Sequence, residues 1–129
     1  MRLLLDTHAF LWLQTEPERL REHRAVVEDP DAELLVSAAS AWEIAIKHAL
    51  GRLPLPEPPA TYVPTRMQAI RATPLAVQHD HALAVASLPL LHRDPFDRLL
   101  VAQALVLGVT ILTADSILEQ YPARTLLVA

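Results

Sequence analysis

Short apolar runs recur along this chain, and segments of helical character lie between them. Arg2 to Leu5 is an unbroken apolar run after its first residue, and Leu34 to Ser37 and Val109 to Thr113 repeat the pattern. Runs this short read as strands buried on both faces, since a helix needs a longer pattern. Thr73 to Val77 and Arg124 to Val128 are weaker strand candidates. Between them, helices are expected from just after Asp6 through Trp12, from the Thr15-Glu16-Pro17-Glu18 capping box to about Glu28, and from Ser40 to Glu43 on to Gly51. Ser40 to Glu43 either opens that last helix or lies within it. Further helices are expected over about Ala60 to Arg71 (with Pro64 inside it), over Gln78 to Ser87, and over Pro95 to Leu107, where Gly108 ends the run. Strands that alternate with helices predict an α/β fold, with a mostly parallel sheet flanked by helices on both faces.

At 129 residues the chain reads as a single domain, 1–129, large enough for a real core. Apolar residues make up 52% of it, which argues against disorder. There is no cysteine, so disulfides, thiolate zinc sites and thiol catalysis are excluded, in keeping with a cytoplasmic protein. Met1-Arg2-Leu3-Leu4-Leu5 reaches Asp6 too soon to serve as a signal-peptide core. The longest uncharged stretch, Leu99 to Ala114, is broken by Gln103, Gly108 and Thr110 and is too short for a membrane span. A net charge of −4 argues mildly against a dedicated nucleic-acid binder, although bound cations would offset acids gathered in one pocket. Ten of the eleven basic residues are Arg, which suits bidentate phosphate contacts and equally fits a genomic bias.

Four carboxylates, Asp6, Glu43, Asp97 and Asp115, stand at strand ends or helix starts, where an open α/β sheet gathers its functional groups. Each has an ordinary alternative. Asp6 could cap the following helix, and Glu43 and Asp97 could complete capping boxes with Ser40 and Asp94. Asp115 could be a turn residue. Taken together they acquire a second reading. If the strands before Asp6 and Asp115 are neighbours at the topological switch point, both acids open into one crevice, and helices starting above it could deliver Glu43 and Asp97. Such an oxygen-only site suits Mg²⁺ or Mn²⁺ and phosphodiester hydrolysis. Thr7 and Thr113 could orient a carboxylate or hold water, with helix or turn capping the favoured reading for Thr7. Asp94 reads as an N-cap before Pro95. Lys47 and Arg98 could contact phosphate or sit solvated at the surface. His79-Asp80-His81 lacks a third zinc ligand and reads as surface polarity at a helix start. Trp12 and Trp42 read as core.

Four segments carry a resemblance that covers nearly the whole chain. They are Leu4-Leu5-Asp6-Thr7-His8-Ala9-Phe10-Leu11-Trp12, then Ser37 with Ser40-Ala41-Trp42-Glu43-Ile44-Ala45-Ile46-Lys47, then His92-Arg93-Asp94-Pro95-Phe96-Asp97-Arg98-Leu99-Leu100-Val101-Ala102-Gln103-Ala104, and finally Thr113-Ala114-Asp115. In this order and spacing the chain resembles the PIN-domain family, and within it the VapC-type toxins of type II toxin–antitoxin pairs. The resemblance implies a PIN-like fold with parallel strand order 3-2-1-4-5. It also implies an endoribonuclease dependent on Mg²⁺ (Mn²⁺ may substitute), homodimerisation, and inhibition by a cognate antitoxin. It assigns Asp6, Glu43, Asp97 and Asp115 to the metal and catalytic site, with RNA as substrate. Ala114 stands where many relatives carry Arg or another polar residue, and the subgroup nearest in pattern commonly has Ala there. Two rival functions stay open on the residues themselves. One is a phosphatase with an Asp nucleophile of the haloacid-dehalogenase type, for which His8 stands where a second Asp is expected. The other is a non-catalytic module whose acids bind a basic peptide.

Overall fold

A computed structural model describes residues 1–128. Five strands, β1 (Arg2–Leu5), β2 (Glu33–Ser37), β3 (Thr73–Leu75), β4 (Thr110–Thr113) and β5 (Thr125–Leu127), form one parallel sheet in the order β3-β2-β1-β4-β5. β1 is central, with Leu3 paired to Leu34 on one side and to Thr110 on the other. The helices are α1 (Thr7–Thr15), α2 (Arg24–Glu28), α3 (Ala38–Ala49), α4 (Pro59–Ala69), α5 (His79–Ala84) and α6 (Pro95–Leu107). The expected fold class and strand order are both present.

The alternation of β1 divides the core. Leu3 and Leu5 pack on one face with Phe10, Leu20, Ile44 and Tyr62, whereas Leu4 packs on the other with Leu100, Val101, Ile111 and Leu118. All three leucines of β1 are fully buried, each stabilising the fold by about 2 kcal/mol in transfer free energy. Chain order places β2 and β3 on one side of β1 and β4 and β5 on the other. The direction in which the chain adds strands therefore reverses between β1 and β4, and a crevice opens at their carboxyl ends.

One local expectation gives way. The Thr15–Glu18 capping box does not form: the segment runs as a 3-10 turn over Pro17–His23 before α2, Glu16 makes no side-chain cap, and Arg21 breaks the helix at φ 52°. α3 is capped by Ser37, whose hydroxyl accepts from the Ala39 N–H at 3.0 Å, so Ser40 to Glu43 lie within the helix, one of the two placements expected. At the other end of α6, Gly108 adopts φ 67° and closes the helix in the left-handed region, as its sequence position suggests.

Candidate metal centre

Asp6 follows β1 directly, and its backbone N–H still bonds Leu112 of β4 at 2.9 Å. Its carboxylate does two things at once. Oδ1 accepts from the Ala9 N–H at 2.7 Å and so caps α1. Oδ2 accepts from the Thr113 hydroxyl at 2.7 Å and the Ala114 N–H at 3.2 Å, reaching across to the end of β4. Capping and site placement coexist, one on each oxygen. Burial pushes the Asp6 carboxyl above its ordinary value, opposed by these hydrogen bonds and by His8.

Asp115 lies across the crevice. Its N–H donates to the Thr113 hydroxyl at 3.0 Å, and its Oδ1 accepts from the Ile117 N–H at 2.9 Å, capping the 3-10 turn Ser116–Gln120. Thr113 thus donates to one acid and accepts from the backbone of the other. Asp97 arrives on the first turn of α6, whose N-cap is Asp94. The Asp94 Oδ1 accepts from the Phe96 and Asp97 N–H groups at 2.8 and 3.2 Å. The cap reading of Asp94 is therefore realised. The Asp97 carboxylate takes no part in the cap and lines the crevice, where desolvation, then the charges of Asp94, Asp6 and Glu43, push its carboxyl up to about 7 while His92 opposes them.

Asp6, Asp97 and Asp115 line one half-open cavity of about 360 Å³ together with His8, Trp12 and Ser116. Glu43 stands apart from its lining. This carboxylate is 2% exposed; Oε1 accepts from the Thr7 hydroxyl at 2.6 Å, and Oε2 from Lys47 Nζ at 2.5 Å. The Thr7 hydroxyl therefore orients an acid and does not cap a helix. The Ser40–Glu43 capping box is likewise absent. Lys47 is occupied by Glu43, whose hydrogen bond raises the lysine's pKa. Arg98 points to the carbonyls of Val85 and Leu88, at 3.3 and 3.4 Å, tying that loop to α6.

Sequence reasoning passed over His92. The loop before α6 folds its ring back between two of the acids, with Nε2 at 2.7 Å from Asp115 Oδ2 and 3.1 Å from Asp97 Oδ2. Among the described residues, His92, Asp97 and Asp115 form the group of metal-type donors whose ligand atoms lie within 4.8 Å of one another. The signal available was its place just upstream of the Asp94-Pro95 helix start.

Two other expectations are corrected and a third is met in part. Trp42 is not core: it is 61% exposed and packs edge-on against Phe96, with ring centroids 5.2 Å apart. Trp12 is partly buried and packs against the core as expected, but it also lines the acid cavity and carries the Arg19 guanidinium 4.1 Å from its ring centroid. His81 is not at the surface. It is buried, its Nδ1 accepting from the Gln78 N–H at 3.1 Å at the start of α5 and lying 3.2 Å from the Gln103 amide. A second, larger cleft of about 480 Å³ lies near the amino end of β2, walled by Leu13, Val27, Leu34 and Ile70. Its Arg24 is already paired with Glu28, and it gathers no reactive set.

Three carboxylates lining one half-open cavity, two of them raised by burial and Asp97 further by the neighbouring acids, suit a hard divalent cation. Among the described residues, no helix is long and apolar enough to cross a membrane.

Comparison with known proteins gives the family and the fold. The PIN domain family matches residues 3–123, and the chain belongs to that family. It is 53% identical over 64 residues to Ribonuclease VapC16 of Mycobacterium tuberculosis, a match spanning 50% of this chain and just under half, 45%, of that protein. It is 29% identical over 119 residues to Ribonuclease VapC22 of the same organism, covering 92% and 91% of the two chains. The fold is shared with a chain of VapBC2 from Rickettsia felis, solved bound to a DNA fragment from their promoter (TM-score 0.76, 11% identity, 100% of both chains). It is also shared with a chain of DNA-bound VapBC from Salmonella typhimurium (TM-score 0.71, 16% identity, 100% and 99% of the chains).

Proposed function

We propose that this chain is a VapC-type toxin, an endoribonuclease that hydrolyses RNA phosphodiester bonds at a carboxylate-held Mg²⁺ or Mn²⁺ site. In this reading a cognate antitoxin neutralises it, and it works as a homodimer in the cytoplasm. The observation that carries the reading is the convergence of Asp6, Asp97 and Asp115 on one cavity at the switch point of the sheet. The names of the Mycobacterium tuberculosis relatives support the choice of RNA.

Asp6, Asp97 and Asp115 would hold the cation. When bound, a divalent cation supplies Lewis acidity towards a phosphoryl oxygen and lowers the pKa of water. The protein's own part is positioning. Thr113 fixes Asp6, the Ile117 N–H fixes Asp115, and the Asp94 cap fixes the first turn that carries Asp97. Glu43, held by Thr7 and Lys47, adds negative charge from behind the cavity wall. Hydrolysis by water does not use the ribose 2′-hydroxyl; with the 3′-oxygen as leaving group, the P–O3′ bond breaks and the products carry 5′-phosphate and 3′-hydroxyl ends.

The haloacid-dehalogenase alternative lacks its second acid, because the exposed His8 occupies that place beside the cavity. End-group analysis of RNA cut by purified, partner-free protein tests the proposal. Products with 5′-phosphate ends are expected, whereas 2′,3′-cyclic phosphate ends would show attack by the substrate's own hydroxyl and remove the hydrolytic mechanism.

A further inference from the structure

His92 is held on three sides. Its backbone N–H donates to the hydroxyl of buried Tyr121 at 2.9 Å, and its side chain is 16% exposed. Its Nδ1 accepts from the Asp94 N–H at 3.2 Å. A ring nitrogen that accepts carries no proton, so the neutral imidazole bears its proton on Nε2. That one N–H faces Oδ2 of Asp115 and Oδ2 of Asp97, at 2.7 and 3.1 Å. The protonated ring nitrogen therefore lies against oxygens of two of the acids proposed to hold the cation.

We propose that His92 is a gate on the cation site: its imidazole N–H donates to Asp115 and lies close against Asp97 while the site is empty, and a divalent cation binds only when the ring gives up that hydrogen bond and the contact beside it. The inference rests on the cation-site reading above and adds a residue that tunes it. The opposite assignment, Nε2 as a ligand, requires the proton to sit on Nδ1. That would set the Nδ1–H against the Asp94 N–H, donor against donor. The gate lowers cation affinity by whatever the charge-assisted hydrogen bond to Asp115 and the contact with Asp97 are worth. It also lessens the repulsion that the empty acid cluster would otherwise suffer.

The test is Mn²⁺ binding to the full chain without RNA, followed by calorimetry or by the paramagnetic signal of free Mn²⁺ at a fixed pH of about 8. His92→Ala should bind Mn²⁺ more tightly than wild type, by roughly fivefold or more, given the usual worth of hydrogen bonds to charged groups. His92→Gln, which can present an amide N–H in the same place, should return towards the wild-type affinity. Weaker binding by His92→Ala would make the ring a ligand, and unchanged binding would reduce it to packing; either overturns the gate while leaving the cation site standing. No Mn²⁺ binding by wild type or variant would overturn the site itself and the gate with it. Should His92→Ala fail to fold, nitrogen-15 spectra of the wild-type ring decide the question. The gate predicts a protonated Nε2 whose hydrogen-bonded signal is lost on saturation with Mg²⁺, and its persistence overturns the proposal.

Discussion

Asp97→Asn should make the metal-free protein more stable. The side chain is 18% exposed, and its carboxyl is pushed from the ordinary 3.8 to about 7 by burial and by the charges of Asp94, Asp6 and Glu43. Because the folded value is the higher one, the native state keeps a proton that the unfolded chain releases between these two values. Stability therefore falls as pH rises through that window and is flat above about pH 7. A shift of about three units at ~1.4 kcal/mol each sets an upper bound near 4 kcal/mol, of which neighbouring protonation relieves a part. Asn keeps the size and leaves a carbonyl to accept from His92, so the variant removes the charge and little else. Urea unfolding in chelator at pH 8 should show it ~2–4 kcal/mol more stable than wild type, with the gap falling to less than about half at pH 5. Saturating Mn²⁺ should close the gap at pH 8, since a cation stabilises the wild-type native state by mass action. Equal or lower stability of the variant at pH 8 in chelator, or a gap indifferent to pH, would refute the crowded-acid account.

Lys47→Met strips nearly buried Glu43 of its cation and leaves Thr7 as its remaining side-chain partner, which should cost about 2 kcal/mol at neutral pH by urea unfolding. Gly108→Ala meets no atom within 4 Å, so its cost is backbone strain alone, about 1 kcal/mol by the same assay. Expression of the wild-type chain alone should arrest growth, and Asp97→Asn should relieve the arrest at equal soluble protein; equal toxicity of both would separate these acids from the toxic activity.

The sheet was legible because β1, β2 and β4 are short apolar runs buried on both faces, a pattern few other elements share. α6 was legible from Asp94-Pro95 at one end and Gly108 at the other, and both caps form as expected. The segment after Thr15 misled because spacing alone does not make a capping box: Arg21 takes a left-handed conformation and the helix breaks there. Asp6 and Asp115 were legible as a pair because parallel neighbours bring their carboxyl ends together, which needs only the strand order. Glu43 and His92 were not legible in detail. Whether Glu43 faces the cavity or Lys47 depends on the rotation of α3, and the return of His92 depends on a loop that carries no periodicity. The exposure of Trp42 was equally hidden, since an apolar side chain on a helix says nothing of which face stays uncovered.

The claim that the three cavity acids form a divalent-cation site for RNA hydrolysis meets its most direct test in one assay. Purified, partner-free protein, stripped of metal and checked by elemental analysis, is given RNA with chelator or with Mn²⁺, beside Asp97→Asn. Cleavage by wild type that vanishes in chelator, returns with Mn²⁺ and is absent from the variant is the predicted result. Undiminished cleavage after metal removal, or full Mn²⁺-dependent cleavage by Asp97→Asn, would contradict it.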